Sequence, residues 1–206
     1  MATRPYRSAG RTTRSEETRQ RIRSAVHELL AEGAFHTSTV EEVAERAGIS
    51  RATLYQHFRS RPELVDAVCE TFDENPALVR LRETVRLEDA AAGLDETLAE
   101  SIRFWSSEDP ILRQLYGVAA VDPAADALVT RQRADRRREL EQLVRNLQRA
   151  RMLRTGLGRD RALSLLLVLT SYDTFRELRE AGLTDRQVTA LLQESARELL
   201  LIVKAP

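Results

Sequence analysis

The chain has 206 residues, 42% hydrophobic and 31% charged, so it can bury one large helical domain or two smaller ones and stay in solution. Its formal net charge of zero argues at first against a nucleic-acid binder, but residues 1–23 hold seven arginines against two glutamates, a local +5. The single cysteine, Cys69, excludes an intramolecular disulfide, fits a reducing compartment, and beside Val65, Val68 and Phe72 reads as a small core residue.

In chain order, residues 1–14 have little that can pack and are expected to form a basic, unstructured tail, of the kind that can reach into a minor groove. A first helix is expected over 15–32, with Ile22, Val26, Leu29 and Leu30 inward, Gly33 ending it and Phe35 joining the same core. In residues 39–58, TVEEVAERAGISRATLYQHF, Val40, Val43, Ala44 and Ala47 make one apolar stripe. Thr39 with Glu42 is a capping box, Gly48 suits a left-handed helix end, and Ser50 can cap a second helix over 51–58. On that helix Leu54 and Phe58 face inward and Arg51, Ala52, Gln56 and His57 do not, with Tyr55 at the edge. Two short helices across a glycine-containing turn are a helix-turn-helix, whose second helix enters the major groove. Ser60 and Glu63 form another capping box, before a fourth helix carrying Leu64, Val65, Val68 and Phe72.

Asn75-Pro76 is the expected domain boundary, separating 15–75 from 76–206. Residues 76–88 read as a short helix or a connector. A helix over 89–106 carries Leu94, Leu98, Ile102 and Trp105, and a separate short one starts at Pro110 and runs to 116. Asp122-Pro123 opens a long helix to about 151, with Leu140, Leu143, Val144 and Leu147 inward and Gly156 and Gly158 ending that element. One helix is expected over 159–181, and a last one, boxed by Thr184 and Gln187, runs on through Val188, Leu191, Leu192, Leu199 and Val203. With no sustained β alternation, the fold class is all-α, about nine helices, with an N-terminal three-helix helix-turn-helix domain and a larger C-terminal helical domain.

The run TVEEVAERAGISRATLYQHFRSRPEL resembles the DNA-binding signature of TetR/AcrR-type transcriptional regulators, with Gly48, Ile49, Ser50, Leu54, Tyr55, His57, Phe58 and Arg61 matching position by position. The likeness covers about residues 14–68, a third of the chain. From helix geometry, Arg51, Ala52 and Gln56 are best placed to meet base edges, Arg51 at guanine and Gln56 at adenine. Tyr55 and His57 suit phosphates, Thr39 and Ser50 add hydroxyl contacts, and Thr53 stands with either face. The resemblance implies backbone contacts at Tyr55, His57 and Arg61.

The resemblance further implies that the C-terminal domain binds an effector and that its last two helices pair two protomers as a four-helix bundle. Leu165, Leu169 and Leu200 lie beyond a single stripe, which independently suggests burial on two sides, and Leu192 and Leu199 join them as interface candidates. An implied pocket would be lined from Arg103, Phe104, Trp105, Arg113, Tyr116, Met152, Tyr172, Asp173 and Phe175. The expected partners are a double-stranded palindromic operator, a second copy and a small-molecule effector, with no membrane. The scattered His27, His36 and His57 offer no metal-ligand spacing, and no glycine-rich phosphate loop is present, so neither cofactor nor catalysis is expected. No signal peptide is visible, and the most apolar run, 163–169, is too short to span a bilayer, so a cytoplasmic location is expected. The resemblance implies a homodimeric, ligand-released repressor. An activator or effector-independent regulator is the alternative within the class. Outside it stands a helical binding protein or enzyme with a vestigial DNA-binding domain.

Overall fold

The computed structural model describes residues 9–202, which form ten α-helices and, in place of any strand, a single antiparallel bridge between Leu153 and Leu201. They fall into two compact units. One holds residues up to Phe72 together with Pro110–Val129; the other holds Asp73–Asp109 together with the residues from Thr130 on. The first unit thus takes in a stretch, 110–129, distant in sequence from the rest of it.

In the first unit, α1 (Ala9–Ala31) starts six residues before the expected position, so 9–14 are helical rather than a tail; residues 1–8 lie outside the described residues. Ile22, Val26, Leu29 and Leu30 are buried with Phe35 as the apolar period requires. The helix-turn-helix is α2 (Val40–Arg46) and α3 (Arg51–His57), followed by α4 (Arg61–Thr71). The box at Ser60 is only half made. Its hydroxyl accepts from the Glu63 N–H at 3.4 Å, but the Glu63 carboxylate accepts from Arg59 N, one residue earlier than expected.

In the second unit, a 3₁₀ turn (Phe72–Glu74, begun in the first unit) leads to α5 (Pro76–Thr84), which resolves the ambiguity over 76–88. Asn75 caps α5 by accepting from Ala77 N at 2.9 Å, with Pro76 at the first helical position, where no N–H is missed. The expected pair of helices over 89–116 is one, α6 (Ala90–Ala119), which continues through Pro110. Proline removes one backbone hydrogen bond, but Phe104, Ile111, Leu112 and Leu115 keep helical spacing across it and each is buried. α7 (Pro123–Arg149) begins as expected but ends before the glycines. Arg151 takes the left-handed position itself (φ 55), and Met152 N closes the turn on Leu147 O at 2.9 Å.

The segment expected as one helix over 159–181 is two, α8 (Arg159–Leu169) and α9 (Tyr172–Glu180). The break is held from outside the segment. Arg136 donates to the carbonyls of Leu167 and Thr170 (3.4 and 2.6 Å), Trp105 Nε1 donates to Thr170 O at 3.1 Å, and Ser171 caps α9 through Thr174 N. α10 (Asp185–Leu200) carries the predicted box of Thr184 and Gln187 and stops at Leu200; Val203 lies outside the described residues.

Gly93 lets α6 pass close to α5. A Cβ there would stand 2.9 Å from the Thr84 carbonyl oxygen, beside a buried contact between the Thr84 and Thr97 hydroxyls. Gly93→Ala is expected to cost about 1–3 kcal/mol, read as a lower denaturation midpoint at unchanged slope. An unchanged midpoint would show that the α5–α6 gap yields freely.

Candidate nucleic-acid interface

Local chemistry sets the frame of the interface. The Thr39 hydroxyl accepts from Glu42 N (3.2 Å) while the Glu42 carboxylate accepts from Thr39 N (2.6 Å), so both orphan donors at the start of α2 are satisfied. Gly48 has φ +64, a conformation that costs a side-chain-bearing residue strain. The chain then turns, with Ile49 N donating to Ala44 O at 3.0 Å. Ser50 caps α3 by accepting from Thr53 N at 3.1 Å, and its hydroxyl lies 2.8 Å from that of Thr53. Leu54 and Phe58 are 1% and 2% exposed, and the Arg19 guanidinium sits 4.6 Å over the Phe58 ring.

With those two side chains buried, α3 presents Arg51, Ala52, Tyr55 and Gln56 outward, with Thr53 and His57 half-buried at the margins. Arg51 pairs with Glu41 of α2 at 2.5 Å and lies 5.5 Å over the Tyr55 ring. A hydrogen bond to Tyr55 and the charge of Glu41 raise the Arg51 pKa above its ordinary value. The guanidinium is thus engaged on the outward face by Glu41 and the Tyr55 ring. Thr39 and Ser50 are exposed, with their hydroxyls already engaged as caps.

Arg61 departs from the expectation of a phosphate contact. Its Nη1 donates to Ser38 O at 2.7 Å, its guanidinium stacks 4.1 Å over Phe35, and its Nη2 is buried without a hydrogen-bond partner. Burial lowers its pKa, opposed by Asp122. It ties the start of α4 to the loop before α2, and so positions the motif from within. The basic surplus of the N-terminal stretch is also partly spent inside the unit. Arg23 pairs with Glu16 and Glu70, and Arg19 with Glu70.

Residues 22–68, which carry this motif, match the model of the bacterial regulatory proteins of the tetR family. This stretch is similar to the DNA-binding region of the TetR family. Over 73 residues it is 36% identical to the HTH-type transcriptional regulator UidR of Escherichia coli K12, covering 35% of this chain and 37% of that one. It thus spans little more than a third of the length of the curated relative it matches. A regulator from Saccharomonospora viridis in complex with choline shares the fold at TM-score 0.73 and 17% identity, over 91% of this chain and 100% of that one. The complex of SmeT, from Stenotrophomonas maltophilia, with triclosan does so at TM-score 0.69 and 18% identity, over 90% and 92%.

Beyond the matched stretch, the nine residues expected around a pocket divide. Phe104, Trp105, Tyr172 and Phe175 come together, with successive ring centroids 5.0, 5.7 and 6.2 Å apart. The Tyr172 hydroxyl donates to the Asp109 carboxylate at 2.6 Å. Arg103 and Asp173 are exposed, and Arg103 pairs with Glu100. Arg113 and Tyr116 belong to the first unit and the other candidates to the second. Met152 lines a separate cleft with Leu201 and Ile202. Of the interface candidates, Leu192 and Leu200 are buried within the protomer, 3% and 0% exposed, and are not available to a partner. Leu165 and Leu169 are half-buried and Leu199 is exposed. Two further apolar side chains of these helices, Val168 and Leu191, are 62% and 40% exposed. A polar-free stretch at 165–169 was the available signal, but helical phase alone does not say which leucines face in. Among the described residues there is no cluster of metal-ligating side chains and no helix long and apolar enough to cross a membrane.

Proposed function

We propose that this chain is a cytoplasmic, homodimeric transcriptional repressor that reads a palindromic operator through α3 and is released by a small-molecule effector. The observation that carries the reading is the outward face of α3, with Arg51, Ala52, Tyr55 and Gln56 exposed while Leu54 and Phe58 anchor the helix from behind. Residues 15–75 supply DNA contact and 76–206 supply effector binding and dimerisation. The aromatic cluster of Phe104, Trp105, Tyr172 and Phe175 is the proposed effector site, supported by the ligands carried by two structural neighbours. Release needs a coupling of only about 1–3 kcal/mol between effector and operator. No step in this role calls for catalysis.

Gln56→Ala is expected to change base preference at one position in each half-site, worth about 1–3 kcal/mol, while other positions keep theirs. Selection of bound sites from a random DNA pool, followed by salt titration of the winners, checks this. A uniform loss over all sequences would make Gln56 a backbone contact, and the absence of salt-sensitive specific binding by the dimer would overturn the regulator reading. Trp105 is the only tryptophan, so its fluorescence reports effector binding at the proposed cluster directly.

A further inference from the structure

A second feature of the larger unit is electrostatic. Between the end of α5 and the C-terminal half of α7 lies a cleft of about 510 Å³ with Arg82, Arg86, Arg138, Arg145 and Arg149 on its walls against one carboxylate, Glu139. Two of these arginines have acidic partners. Arg82 pairs with Asp73 at 2.5 Å and with Glu139 at 3.4 Å, and Arg138 pairs with Asp135.

The others are held differently. Arg145 donates twice to the neutral Gln142 Oε1, at 3.2 and 2.7 Å, and Arg149 donates to Asn146 Oδ1. These amides are themselves fixed, since Gln142 Nε2 donates to Asn146 Oδ1 at 2.9 Å and Asn146 Nδ2 donates to Val85 O at 2.7 Å. An amide can orient a guanidinium without cancelling its charge, and a carboxylate cannot. Burial also raises the Glu139 pKa above its usual value, which weakens the one negative group present. The result is a set of positioned cations whose mutual repulsion only an anion relieves.

We propose that this cleft binds a compact polyanion bearing phosphate or clustered carboxylate groups, with Arg145 and Arg149 as the principal donors and Arg86 at the margin. The site is separate in its residues from both the α3 face and the aromatic cluster, and its existence does not depend on the operator reading.

The test is calorimetric titration of the full chain with inorganic pyrophosphate and, separately, with citrate, at constant ionic strength. Saturable binding of one anion per protomer is expected. Each lost charge-assisted donor should weaken it about tenfold or more, so Arg145→Gln with Arg149→Gln together should abolish it within the measurable range. Gln142→Glu, which neutralises Arg145 in place, should weaken binding, and Glu139→Gln should tighten it. Pyrophosphate without citrate identifies a phosphorylated ligand, citrate without pyrophosphate a polycarboxylate, and binding of both the shared class. Binding of neither, or affinity unchanged in the double variant, overturns the proposal. Circular dichroism and operator affinity without anion should be the same in all three variants, so loss of fold or of DNA binding is distinguishable from loss of this site.

Discussion

Val168→Asp combined with Leu199→Asp is expected to leave a folded monomer whose operator affinity falls more than about a hundredfold. Val168 and Leu199 are 62% and 41% exposed and lie on α8 and α10, which pack on each other, with Leu165, Leu169 and Leu191 as further apolar surface of the same two helices. A charge on either side chain costs the isolated protomer little, because water already reaches it. Placed in a dimer seam, the same carboxylate loses its hydration and meets its symmetry copy. The operator effect then follows from linkage. Two tethered half-site readers gain about 10²–10⁴ in apparent affinity over one, and a monomer forfeits that factor. Light scattering gives the mass and a filter or anisotropy assay the affinity. A dimer that survives both charges would move the interface off α8 and α10.

Phe58→Ala carries the largest expected cost in stability. The ring is 2% exposed at the end of α3, where it and Leu54 are the residues that press the reading helix onto its unit. Removing it should cost about 3–5 kcal/mol through lost transfer energy and the cavity left behind. The Arg19 guanidinium at 4.6 Å loses its aromatic face as well, worth about 0.5–1 kcal/mol more. Operator binding should disappear with the order of α3. Chemical denaturation followed by helix content should show an earlier loss, while the fluorescence of Trp105, which belongs to the other unit, reports that unit separately. A cost under about 1 kcal/mol would mean that α3 is held chiefly by Leu54.

Several residues show why some of this was readable from the chain. The Thr39–Glu42 and Thr184–Gln187 boxes, the Ser50 cap and the left-handed Gly48 act within four residues, so side-chain chemistry alone decides them. The outward set on α3 follows from the inward spacing of Leu54 and Phe58, again a local property. Where the structure departs from the local pattern, a distant group intervenes. Pro110 looked like a helix start, yet buried side chains on both sides carry α6 across it. The stretch 159–181 looked continuous, yet Arg136 and Trp105 supply the hydrogen bonds that let Thr170 and Ser171 break it. Arg61 matched a phosphate-binding position and instead spends its guanidinium on Ser38 and Phe35.

By itself, then, the sequence determined that this chain is helical, that residues 39–58 form a capped helix-turn-helix, and which side of α3 is apolar. Caps, turn glycines and apolar period are short-range quantities, complete within a turn or two of helix. Tertiary structure alone decided which leucines of α8 and α10 remain for a partner, where that segment breaks, and which arginines are consumed internally. Those outcomes depend on groups tens of residues away, whose approach no local pattern encodes. The amide-held arginines of α7 are the plainest case: in sequence they are one more charged helix face, and only the fold shows which of them lack a carboxylate.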